Sequence, residues 1–219
     1  MPKHLNLLVI LLIICLMLVF PFLGEEMTKK EQLPVLKLTL GDSFAQMQSQ
    51  SSYQFDFKSL EHFQPLVIGK PFIFEYTHIK HGFSLPPGLF GAFTTYAGHV
   101  VSADLGPHLR YLTLSEMLIL LEELKNLFES SGWQLQRTYS SLAEIEQIFT
   151  ESKGVGHQDI LGFKEWSSQG EEIYIELTRR WKAGQAPPLV VGPHVDHNQD
   201  LFTIKVSIDN NQVWEKYAG

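Results

Sequence analysis

The first strong pattern along the chain is Leu5 to Leu23, which carries no charge and is unbroken apolar sequence from Leu7 to Phe20. As a helix it reaches ~28 Å, close to the hydrocarbon thickness of a bilayer. It has no polar face, as a core helix would, so it predicts a single membrane-anchoring helix. Beyond it the period changes to two. Leu36, Leu38 and Leu40 alternate with Lys37 and Thr39, as in a half-buried strand. Gly41-Asp42-Ser43 ends that strand, and Asp42 or Ser43 is placed to cap a short helix over Phe44 to Gln48. Gln46 to Gln54 is rich in Gln and Ser and reads as a mobile, low-complexity stretch. Phe72 to Thr77 is aromatic and β-branched, while Gly91–Tyr96 and His99–Ala103, split by Ala97-Gly98, read as a hairpin.

Helical periodicity begins at Thr113, which forms a capping-box pattern with Glu116. Met117, Leu120, Leu121, Leu124 and Phe128 then make one apolar stripe, ended by Gly132. A short strand follows over Trp133 to Tyr139. Ser141 and Glu144 repeat the capping box ahead of a second stripe of Leu142, Ile145, Ile148 and Phe149. Ile160–Trp166 and Ile173–Trp181 flank Ser167-Ser168-Gln169-Gly170 as a second hairpin, and Phe202 to Ile208 alternates as the last strand. The predicted fold class is α+β: an antiparallel sheet with two central helices packed on it, preceded by one N-terminal transmembrane or signal-anchor helix. The domain reading is a tail over 1–4, the anchor or signal segment over 5–23, a linker over 24–33 and a single extracytoplasmic domain over 34–219.

Composition narrows the function classes. A chain of 219 residues has room for one ordinary domain. Seventeen Lys+Arg against 24 Asp+Glu give a net charge of -7, which argues against a nucleic-acid partner. One cysteine excludes an internal disulfide framework and a Cys-based zinc site. The apolar segment ends Phe22-Leu23-Gly24, with a bulky Phe where signal peptidase needs a small residue, so an uncleaved anchor is expected. Lys3 and the α-amino group on one flank balance Lys29 and Lys30 on the other. The short tail before the segment and the cysteine-free body favour a single-pass protein whose body faces the periplasm or cell exterior.

Several motifs bear on chemistry. Gly41-Asp42-Ser43-Phe44 resembles the first block of the GDSL lipase/esterase family, which implies Ser43 as nucleophile. The family's Asp-x-x-His and Gly-x-Asn-Asp blocks do not occur in this chain, and a serine nucleophile needs that base and its orienting group. His78/His81 and His194/His197 are His-x-x-His pairs, and Pro193 to His197 resembles part of the metallo-β-lactamase ligand motif, with Gly192 at its preceding histidine position. Residues three apart on an extended strand face opposite sides, so His78 and His81 converge only if the strand has ended. Glu122-Glu123 and Glu171-Glu172 read as solvated pairs. Leu38 to Phe44 and Gly98 to Leu105 resemble the small lipoprotein of the outer-membrane β-barrel assembly machinery, without its lipoprotein cysteine.

Two features point to binding. Between Tyr111 and Ile160, eight carboxylates (Glu116, Glu122, Glu123, Glu129, Glu144, Glu146, Glu151, Asp159) meet only Lys125, Arg137 and Lys153. An acidic helical surface speeds capture of a basic protein partner, and Glu122, Glu123 and Glu129 lie off the apolar stripe. The apolar turn Phe83 to Phe90 offers Phe83, Leu85, Leu89 and Phe90 as partner anchors. The function expected from sequence is a membrane-anchored, non-enzymatic protein-interaction domain, of the immunity-inhibitor or envelope-assembly kind. No catalytic, cofactor or metal residue is assigned and no nucleic acid is expected. The alternative is a hydrolase or metal-dependent enzyme using the His-bearing loops.

Overall fold

The computed structural model describes residues 32–55, 64–138, 141–151, 159–168, 170–184 and 198–218. The chain divides into two units, Met1–Leu33 and Pro34–Gly219. The predicted anchor over 5–23 lies outside the described residues, and among those described no helix is long and apolar enough to cross a membrane.

The second unit is α+β. Its order is β1 (Val35–Leu38), α1 (Phe44–Gln50), β2 (Gln64–Ile68), β3 (Ile73–Tyr76), β4 (Phe83–Ser84), β5 (Phe90–Tyr96) and β6 (His99–Gly106). There follow α2 (Leu114–Ser130), β7 (Gln134–Thr138), α3 (Leu142–Glu151), β8 (Asp159–Ser168), β9 (Glu171–Trp181), β10 (Leu201–Asn210) and α4 (Asn211–Ala218). Seven strands form one sheet in the order β2-β5-β6-β10-β9-β8-β7, and every neighbouring pair is antiparallel. The β5–β6 hairpin turns at Ala97 (φ 49°) and Gly98 (φ 78°). Two successive left-handed residues match the twist of the flanking strands.

A second sheet, β1-β3-β4, was not foreseen. In it β1 runs parallel to β3, Val35 opposite Ile73, and β4 is antiparallel to β3. Alternation tells which face of a strand is buried but not which strand lies beside it, and the long crossover over 39–72 permits the parallel pair. The Gln/Ser stretch is likewise corrected from mobile to structural. Phe44–Gln50 is helical, and the serines after it close the free edge of β1. Val35 N donates to Ser52 Oγ at 2.8 Å and Lys37 N to Ser51 Oγ at 2.9 Å, while Ser52 N donates to Val35 O at 2.9 Å. Hydroxyls thus satisfy edge groups that would otherwise template pairing with another chain.

Among the described residues, the predicted capping signals at Ser43, Thr113 and Ser141 each start a helix. Thr113 and Glu116 close a capping box on α2, and Ser141 N donates to Glu144 while Glu144 N donates to Ser141 Oγ at the start of α3. The α2 stripe of Met117, Leu120, Leu121, Leu124 and Phe128 is buried. Phe128 meets Trp166 of β8 at 5.3 Å and Phe83 of β4 at 4.9 Å, and Phe149 of α3 meets Phe202 of β10 at 4.9 Å. Phe74 of β3 stacks on Phe93 of β5 at 6.4 Å. One continuous core therefore lies between the inner face of the large sheet and a cover made of α2, α3 and the small sheet.

Candidate functional site

The sequence-derived candidates on α2 can be placed residue by residue. Glu123 and Glu129 are exposed and Glu122 is half-exposed, on the side away from the buried stripe. They share that side with Asn126 and with Ile119, whose side chain is 61% exposed. Among the described residues, Glu122 pairs with Lys125 at 3.3 Å, and neither Glu123 nor Glu129 has an ion-pair partner. The acidic excess is smaller than the sequence count. Glu116 grips Arg110 through both oxygens, at 2.6 and 3.1 Å, and accepts Thr113 N. Those bonds, Arg110 first, push its carboxyl down to about 2. Glu144 is engaged at its own helix start, where Ser141 N holds it below the ordinary range. The side chains of Arg137, Lys153 and Asp159 lie outside the described residues.

The apolar turn divides. Phe83 and Leu85 are buried, at 7% and 3% exposure, and belong to the core rather than to a partner surface. Phe83 packs edge-on against Phe128 and Trp133, and Leu85 N donates to Phe74 O. Their inclusion among the anchors is corrected: strand alternation carries Phe83 and Leu85 inward, and sequence apolarity alone does not reveal that. Leu89 and Phe90 remain exposed, at 39% and 43%. The turn is fixed where Gly88 bridges Phe72, because a Cβ at Gly88 would sit 2.4 Å from Gly106 O. Only glycine fits there.

The catalytic motifs resolve structurally. Ser43 is the N-cap of α1, its hydroxyl accepting Gln46 N while Gln46 returns a bond to Ser43 N. Asp42 accepts Thr39 N at 2.8 Å and shapes the preceding turn. His99 lies beside this turn, its Nδ1 bonded to Gly41 O at 2.9 Å and its ring stacked on Tyr217 at 4.0 Å. His78 and His81 stack nearly parallel, 5.3 Å apart and 9° between planes. Imidazole lone pairs lie in the ring plane, so parallel rings do not converge on one ion. Among the described residues no group of three or more His, Cys, Asp or Glu is arranged to hold a metal. His194 and His197 lie outside the described residues.

Two buried polar arrangements were missed. Glu171 is 5% exposed, and Tyr76 Oη donates to its Oε1 at 2.8 Å. Burial and the adjacent Glu171 carboxylate push the Tyr76 phenol far up, so it stays a donor. Asn210 Nδ2 reaches the same oxygen at 3.5 Å, while Asn210 Oδ1 caps α4 by accepting Gln212 N and Val213 N. The reading of Glu171 as solvated is therefore overturned. Its in-phase spacing with Ile173, Ile175 and Leu177 was the available signal. Arg179, also in phase, is 2% exposed between the rings of Phe149 and Phe202. It pairs with Asp200 at 3.0 Å and donates to the Phe149 carbonyl near the end of α3.

On the other face of the large sheet, Lys205 pairs with Glu176 at 2.9 Å and approaches Asp104 at 3.9 Å. Asp209 sits directly opposite Glu172, and burial, then Asp104 and Glu172, raise its carboxyl to about 6. Comparisons with known protein families, with curated proteins and with solved structures give no match for this chain.

Proposed function

We propose that this chain is a membrane-anchored interaction protein, held by Leu5 to Leu23 as a single transmembrane anchor, its body outside the cytoplasm, working by binding a basic protein partner rather than by catalysis. The observation that carries this reading is the outward side of α2. There Glu122 and Glu123 stand one turn beyond the exposed Ile119 and Glu129 lies farther along the same side, while the opposite stripe is consumed by the core. An exposed apolar residue with carboxylates along the same helix side suits a partner presenting Lys or Arg beside an apolar contact, and the charges raise the rate of encounter. The reading is further supported by Ser43, whose hydroxyl is committed to capping α1.

The test compares two variants. Glu122→Gln/Glu123→Gln/Glu129→Gln should leave stability within ~1 kcal/mol per site, since exposed charges contribute little. Partner capture from envelope extracts should fall and lose its salt dependence, because such charges are screened beyond ~10 Å at 0.1 M salt. Ser43→Ala should keep full capture. A folded but inactive Ser43→Ala beside a fully active triple Gln variant would reverse the proposal in favour of an esterase.

A further inference from the structure

The body has two ends, and backbone connectivity shows which one carries the chain toward residue 33. Pro34 O accepts Ile73 N, Phe72 and Gly88 exchange hydrogen bonds at 2.9 Å, and Leu89 N donates to His108 O at 3.2 Å. The start of β1, the turn before β3, the start of β5 and the segment after β6 therefore gather at one end. The opposite end holds the exit of β1, where Gly41 N donates to Val100 O, together with Tyr76, Glu171 and Asn210.

The exposed apolar side chains favour the first end. Val67 (62%), Leu89 (39%), Phe90 (43%) and Leu109 (48%) are all there. Val67 lies opposite Ala92, on the same face as Phe90, and Phe90 is opposite Gly106, which offers no side chain to cover it. Of the other exposed large apolar residues, Ile119 belongs to α2, Ile79 to the turn after β3 and Leu135 to β7, each standing singly. Cations stand at the same end: Lys70, Arg180 and Lys182 lie there, with Glu116 and Asp200 each held by an arginine and Asp159 opposite Arg179 on the neighbouring strand. The opposite end has Glu172, Asp209 and Glu215 together with Lys216, and Glu171 there is buried.

We infer that this first end rests on the bilayer surface, with Val67, Leu89, Phe90 and Leu109 entering the headgroup region and Lys70, Arg180 and Lys182 facing anionic lipid. The inference rests on the reading of Leu5 to Leu23 as an anchor. Residues 24–33 then reach at most ~35 Å, a length that lets the end beginning at Pro34 come to the bilayer surface. A tethered surface needs only weak affinity because its effective concentration is high, and exposed apolar groups ringed by cations are the chemistry of interfacial contact.

The experiment uses the full chain in vesicles, neutral or with a third of the lipid anionic, with Cys15→Ser and single dye-labelled cysteines. Labels at Leu89→Cys and Leu109→Cys should be quenched several-fold more by a lipid-borne quencher than a label at Glu215→Cys. Lys70→Glu/Arg180→Glu/Lys182→Glu should shrink that difference on anionic vesicles. A chain that survives a carbonate wash yet shows equal quenching at all three positions overturns this inference and leaves the anchor standing. Labels shielded from an aqueous quencher but untouched by the lipid-borne one overturn it in favour of a protein on that surface. A chain that the carbonate wash strips from the vesicles removes the anchor, and this inference with it.

Discussion

Asp209 and Glu116 show how the same side-chain chemistry takes opposite signs from its neighbours. Glu116 is pushed down to about 2 by Arg110 and the Thr113 amide. Its contribution is fully present above the unfolded value near 4.5 and is lost as pH falls through about 2. Asp209 is raised from 3.8 to about 6 by burial and by the carboxylates of Asp104 and Glu172. Between those two values the folded state holds a proton that the unfolded state has already released, so stability falls as pH rises across that window. Asp209→Asn should therefore stabilise the protein above pH 6 and change little below pH 4, read as the urea midpoint across a pH series. Equal shifts at pH 4 and pH 8 would show that Asp209 is not strained by its neighbours. Glu171 is a third case. It is deeply buried but accepts Tyr76 and Asn210, so removing either donor costs more than the bond itself, because the carboxylate stays buried with less to hold it.

At the scale of the element, α3 is the least self-sufficient of the longer helices. Only Ile145 and Phe149 are fully buried along its ten residues, against five on α2. What docks its far end is Arg179, between the rings of Phe149 and Phe202, bonded to the Phe149 carbonyl and paired with Asp200. Arg179→Met keeps length and apolar contact but removes both polar links. The Phe149 carbonyl then loses its buried donor, a cost of ~1–3 kcal/mol, while the Asp200 side chain, 34% exposed, still reaches water; the amides of α3 should exchange faster while those of α2 keep their protection relative to the global value. Unchanged α3 exchange would mean that its apolar stripe holds it alone. The helices were legible because caps and stripes are local signals: Thr113, Glu116 and Phe128 announce α2 without reference to anything distant. Pairing was not legible, since nothing in Leu36 or Leu38 names β3 as their parallel neighbour. Phe83 and Leu85 were read by composition when their alternation mattered, and Glu171 by its charge when its phase with Ile173 mattered. On the candidate site, the outward placement of Glu123 and Glu129 followed from the stripe, whereas the loss of Glu116 to Arg110 depended on a loop that periodicity does not describe.

At the scale of the whole chain, the prediction concerns orientation. Among the described residues, the core cluster lies within Pro34–Gly219. Lys3 and the amino terminus on one side, and Lys29 and Lys30 on the other, leave the flanking charges balanced. The single cysteine of the chain, Cys15, lies within the apolar segment, so the body carries no thiol. Such a body needs no reducing compartment and offers no thiol to miscouple outside the cytoplasm. A reporter enzyme that works only outside the cytoplasm, fused after Gly219, should therefore be active, and the full chain should stay in the membrane pellet after a carbonate wash. An inactive reporter on a chain that stays in the membrane pellet would overturn that orientation and place the acidic side of α2 among cytoplasmic partners.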